Sequence, residues 1–172
     1  MCTTVMTVAA VVGLSACSSG GPAGGGAAEG WTEVKVGRLT LERPADWTEK
    51  SPTGEAWDTK YVGDGIELQV SGEFSDDPTA NAALSRLDLP ATLRLEGYKG
   101  GGMQDLEVEG ADSAIRSDFT FTHEKETWEG TWVIAGQWPH PQTAAVAING
   151  ANPDPETVRH IIESLTFEKK QG

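Results

Sequence analysis

Hydrophobic positions in this chain fall into short alternating runs, interrupted by two stretches at helical spacing. Trp31, Val34 and Val36, a turn at Gly37, then Leu39 and Leu41 predict an opening hairpin or pair of short strands, closed by Pro44. Trp57 and Tyr61 precede the turn Gly63-Asp64-Gly65. Beyond it Ile66, Leu68 and Val70 alternate with Glu67 and Gln69, so residues 56 to 71 predict a second hairpin with a half-buried strand. Leu106 and Val108 predict the start of a further strand. In the next, Ile115, Phe119 and Phe121 share one face, with Arg116, Asp118 and Thr120 opposite. After a turn at His123 to Glu126, Trp128, Trp132 and Ile134 share a side with Gly130 and Gly136. A Pro-rich corner, Trp138-Pro139-His140-Pro141, leads to Ala144, Val146 and Ile148. These connections are too short for parallel crossovers, so the pattern predicts an antiparallel meander.

Two helices are expected around it. Asp77 can cap and Pro78 can open a helix along Ala80, Ala83, Leu84 and Leu87, which Pro90 should break or restart. Asp154 caps and Pro155 opens a second, whose stripe Val158, Ile161, Ile162 and Leu165 must be buried against a sheet. Gly100-Gly101-Gly102 predicts a loop, and Asn149-Gly150 a turn. The resulting fold class is α+β, an antiparallel sheet flanked by helices.

The N-terminal region follows a different pattern. Val5 to Leu14 is apolar or small at nearly every position, and Cys17 is followed at once by Ser18, Ser19, Gly20, Gly21 and Pro22. A bilayer-spanning helix needs about 20 apolar residues, more than this run supplies. Its length matches the apolar region of a secretory signal before small residues. Leu14-Ser15-Ala16-Cys17 resembles the lipobox of bacterial lipoproteins. The resemblance implies a thioether to diacylglycerol on Cys17, cleavage ahead of it, and attachment to the extracytoplasmic face of the cell membrane. A secretory signal ordinarily opens with Lys or Arg, and Met1 to Thr7 has neither. The expectation is that the true start lies upstream or that the sequence is trimmed.

The chain then divides into a signal peptide over residues 1–16, a tether over 17–30, one domain over 31–168 and a tail over 169–172. Ser18 to Gly30 is mostly Gly, Ala, Ser and Pro and cannot bury enough apolar surface to repay ordering. As a coil it spans roughly 20 Å. A domain of about 140 residues holds a core without covalent staples. With Cys2 in the signal and Cys17 carrying lipid, no disulfide is available.

Net charge is −13, and no cluster of Lys or Arg interrupts it, which disfavours nucleic acid and anionic head groups as partners. No chemical signature emerges. His123-Glu124 begins like a zinc-protease helix, but Thr127 stands where the second His belongs. His123, His140 and His160 read as isolated, exposed residues. Gly100-Gly101-Gly102 lacks the Lys-Ser/Thr of a phosphate-binding loop, and Asp76-Asp77 lacks calcium-ligand spacing. No metal, cofactor or catalytic residue is therefore assigned beyond the diacylglycerol on Cys17. Of the six tryptophans, Trp47, Trp128 and Trp132 read as core, while Trp138 and then Trp57 are the candidate partner-contact residues.

The opening strands with Leu41-x-x-Pro44-x-x-Trp47, an inner helix, a three-strand meander and the closing Pro155-Glu156-Thr157…Ile161-Ile162-Glu163-Ser164-Leu165-Thr166-Phe167 resemble the PsbP-like lipoproteins of actinobacteria. The likeness covers most of residues 31 to 168. It implies an antiparallel sheet with helices on both faces, and an accessory or binding role without catalysis; it brings no motif of active residues. The expected function is a lipid-anchored, non-catalytic envelope domain that binds a protein or envelope component. The alternative is a carrier of a small apolar ligand, held between sheet and helix by Trp128, Trp132, Phe119 and Phe121.

Overall fold

A computed structural model describes residues 27–139 and 142–170. The signal, most of the tether with Cys17, and His140 lie outside the described residues. Strands β1 (Trp31–Val36) and β2 (Leu39–Pro44) form the opening hairpin, followed by β3 (Thr48–Lys50), β4 (Thr59–Gly63) and β5 (Ile66–Ser75). Helix α1 (Ala80–Arg94) precedes β6 (Lys99–Asp105), β7 (Ser113–His123), β8 (Glu126–Gln137) and β9 (Gln142–Gly150). Helix α2 (Pro155–Glu163) and the short β10 (Thr166–Phe167) end the domain.

Seven strands make one antiparallel sheet in the order β3-β4-β5-β9-β8-β7-β6, and three make a second in the order β1-β2-β10. The expected meander appears as β7 to β9, and its edge neighbour β6 falls on residues expected to form a loop. Alternation along each strand assigns the two faces of the large sheet. Ile115, Phe119, Trp132, Ile134, Ala145 and Ala147 meet α1. Leu68, Val70, Val133, Val146 and Ile148 meet α2 and the small sheet through Leu39, Leu41, Ile161 and Phe167. The molecule is thus an α+β sandwich with a helix on each face of the large sheet. The small sheet can come close because residue 72 has no side chain: a Cβ there would stand 2.2 Å from the Val36 carbonyl oxygen.

Five local expectations are corrected. Asn149 and Gly150 do not turn the chain but end β9, paired with Glu67 and Ile66 of β5. Helix α1 is capped by Thr79, whose backbone is extended and whose hydroxyl accepts the Ala82 N–H. Asp77 lies outside the helix, accepting from Ser75 Oγ and pairing with Arg86. Pro90 does not break α1, which continues to Arg94. A mid-helix proline costs about 3 kcal/mol, a loss opposed by packing Leu84, Leu87 and Ala91 against Phe119, Trp132 and Ala147. The triglycine is part of edge strand β6, with an irregularity in its pairing to β7 between Gly100 and Met103. Gly102, at φ +98°, takes a conformation open mainly to glycine. Leu106 to Val108 leave the sheet, so that Val108 enters the core of the other layer.

Candidate functional site

The sequence-predicted aromatic quartet is brought together on the α1 face of the large sheet. Phe119 and Trp132 lie 4.0 Å apart between ring centroids, Phe121 is 5.9 Å from Phe119, and Trp128 is 6.0 Å from Phe121. Tyr98 adds a fifth ring, 5.7 Å from Phe119, and donates its hydroxyl proton to Asp88 Oδ1 at 2.6 Å. Burial lifts the Tyr98 hydroxyl well above its usual range, and the Asp88 carboxylate lifts it further. Phe119 and Trp132 are only 4% and 5% exposed, so the rings fill this layer themselves. Gly130 makes the room: a Cβ there would meet Phe119 Cζ at 2.2 Å.

A cavity of about 580 Å³ opens on the opposite face of the same strands, between α2 and β6 to β8. Phe119 is the one member of the quartet that reaches its lining. The apolar wall is Ile148, Pro153, Pro155 and Val158. The polar floor follows from strand alternation, which turns Arg116, Asp118 and Thr120 of β7 away from α1, together with Glu129 and Thr131 of β8. Asp118 accepts from Arg116 Nε at 2.9 Å and from Thr131 Oγ1 at 2.7 Å. Arg159 on α2 is held by Glu156 and Glu163. Lys99 on β6 stands at the rim. The volume lies within the span typical of small-ligand sites, about 300–1,000 Å³. A larger hollow, about 730 Å³, is lined wholly by residues 105 to 114 and is the inside of that one loop.

The single-residue candidates separate. Trp138 is 65% exposed at the end of β8, with its backbone N–H donated to Asp112 Oδ2 at 3.0 Å. Trp57 is half-buried, its ring 6.1 Å from that of Phe74, and it packs against the buried cluster of Ala80, Ala83, Ile115, Ile134 and Ala145. Trp47 is buried in the other layer and donates Nε1–H to Asp64 Oδ2 at 3.2 Å. His160 is not an isolated exposed residue. Its ring stacks 3.7 Å from Trp31, and its Nε2 lies 2.6 Å from Glu42 Oε2, beside a cavity of about 330 Å³. The pair fastens α2 to the opening hairpin. His123 is exposed on the β7–β8 turn, edge-on to Trp128. Among the described residues no three His, Cys, Asp or Glu side chains converge on a metal position, and no helix is long and apolar enough to cross a membrane.

Sequence reading placed Arg116, Asp118 and Thr120 on one face, and Val158 in a stripe, without joining them. The available signal was a mismatch: three polar residues occupy a sheet face that an apolar helix was expected to cover. Lys99 gave no signal, because it adjoins a triglycine read as loop.

No protein-family model matches the chain, and no curated protein matches it. Among solved structures the chain is similar to LpqN, involved in cell envelope biogenesis of Mycobacterium tuberculosis, with 13% identity, a TM-score of 0.48, and coverage of 81% of this chain and 91% of that one. It is also similar to a Pseudomonas aeruginosa protein of unknown function, with 16% identity, a TM-score of 0.38, and coverage of 76% and 87%.

Proposed function

We propose that this chain is a lipid-anchored, non-catalytic domain of the cell envelope, held at the extracytoplasmic face of the cell membrane and binding a protein or another envelope component. The observation that carries this reading is Leu14-Ser15-Ala16-Cys17, set between an apolar run and a Gly/Ala/Ser stretch. Each buried methylene of an acyl chain contributes roughly 0.8 kcal/mol, and one chain anchors only marginally, so the two chains of a diacylglyceryl group would hold the protein durably. Exposed Trp138 is a candidate contact for a partner. Labelled palmitate should enter the wild-type chain and not Cys17→Ala. An unlabelled wild-type product overturns the anchor.

A second reading, carriage of a small ligand, is favoured by the cavity between α2 and the large sheet. Native mass spectrometry of the purified chain should then show a co-purifying small molecule. A bare mass, with no compound shifting the amide resonances of Thr120 and Val158, counts against it.

A further inference from the structure

Three cavity residues stand in one row across neighbouring strands: Lys99 on β6 pairs in register with Thr120 on β7, which pairs with Glu129 on β8. All three line the cavity. The cavity's other charges are already engaged, Arg116 with Asp118 and Arg159 with Glu156 and Glu163. Among the described residues, exposed Lys99 and Glu129 make no ion pair or side-chain hydrogen bond, which leaves one cation and one anion on either side of a hydroxyl. Their backbones are two strand spacings apart, about 9–10 Å.

This arrangement selects against simple ligands. A lone anion drawn to Lys99 would meet Glu129, and a lone cation the reverse. A free amino acid carries its charges too close together to reach both. An extended tripeptide, at about 3.3–3.6 Å per residue, spans about 10 Å between its ends. Ile148, Pro153, Pro155 and Val158 offer an apolar surface beside the row.

We propose that the cavity binds a short zwitterionic peptide of about three residues. Its free carboxylate sits at Lys99, its free ammonium at Glu129, and an apolar side chain lies against Val158 and Pro153. Thr120 can accept from or donate to the peptide backbone between them. The assignment rests on the small-ligand reading of the cavity and adds the ligand's chemical class.

The test is calorimetry on the full-length lipidated chain in detergent, with Ala-Leu-Ala and its N-acetylated and C-amidated forms. Blocking either end should weaken binding about tenfold, the loss of one hydrogen bond to a charged group. Glu129→Gln should bind the free and N-acetylated peptides equally, and Lys99→Met the free and C-amidated peptides equally. Both changes fall on exposed side chains, and circular dichroism checks that the fold is kept. Equal binding of free and blocked peptides by the wild type, or no binding of any of them, overturns the proposal. Thr120→Trp, which fills the middle of the row, separates this from the broader reading. If a co-purifying molecule is lost from that variant while Ala-Leu-Ala never binds, the cavity is a ligand site and only the peptide assignment falls. If the wild type carries no such molecule and binds no peptide, both fall.

Discussion

Arg38 is buried, at 8% exposure, without a carboxylate partner. It sits where the opening hairpin meets the ends of β8 and β9. Its Nε donates to the Glu168 carbonyl at 2.8 Å, one terminal nitrogen to Gln142 Oε1 at 3.1 Å, and the other to Gln137 Oε1. Its guanidinium carbon lies 4.7 Å above the centre of the Phe167 ring. Arg38→Met keeps most of the aliphatic packing and removes these three hydrogen bonds. At about 1.5 kcal/mol for each bond from a charged donor, the gross loss is about 4–5 kcal/mol. Methionine escapes the cost of burying a cation whose neighbouring carboxylate, Glu168, is paired with Lys35 instead, which returns roughly 2 kcal/mol. The net expectation is a loss of about 2–3 kcal/mol, read from urea unfolding with an unchanged denaturant slope. Gln137→Met in the same background separates hydrogen bonding from packing. Gln137 also brackets Lys170, accepting its N–H at 2.7 Å and donating to its carbonyl at 2.8 Å. The double variant should therefore lose about 1–2 kcal/mol less than the two single variants together. Additivity, or an Arg38→Met loss below about 0.5 kcal/mol, refutes the role given to the guanidinium.

Gly130→Ala should destabilise the domain by about 1–3 kcal/mol through overpacking, because its Cβ meets both Phe119 and Asn149 Oδ1; Trp132 fluorescence should shift with it. Thr79→Ala should cost about 1 kcal/mol as a lost helix cap, with helicity falling at the start of α1. Acid should destabilise the fold in a defined direction. Asp77 is held below the usual carboxylate range by Arg86 and Ser75, Asp154 by Thr157, Asp112 by Lys169 and the Trp138 N–H, and Glu168 by Lys35. Near pH 4 the unfolded chain then binds more protons than the folded one, so these contributions are complete above about pH 5 and drain away as pH falls through the folded values. A urea midpoint that stays flat between pH 5 and 3 contradicts this. Tyr98 works the other way, its folded pKa being raised: its contribution is present below about pH 10 and is lost above it.

Much of the fold was legible because its local signals agreed. The hairpin around Gly63-Asp64-Gly65 and the Asp154-Pro155 helix start appear where the pattern predicted them, the latter with Asp154 Oδ2 accepting the Thr157 N–H at 2.8 Å. Failures came where burial outweighed propensity. Pro90 stays helical because its neighbours Leu87 and Ala91 are packed beneath it. The triglycine becomes a strand because β7 supplies a ladder for it, and no side chain announces that. The candidate site was half legible: alternation assigned Arg116, Asp118 and Thr120 to a face, yet the aromatic residues on the other face drew the expected pocket toward α1.

By itself the sequence determined which side chains share a face along most strands and where the hairpin at Gly63-Asp64-Gly65 turns, since both depend on neighbours a few residues apart. Only the tertiary structure decided that α2 begins beside the polar rows of β7 and β8 and leaves a cavity there. It alone decided that Trp31 closes over His160 across the domain. Those outcomes depend on how far one layer slides over another, and that is set by packing volume and close approach, as at Gly72, rather than by any local pattern.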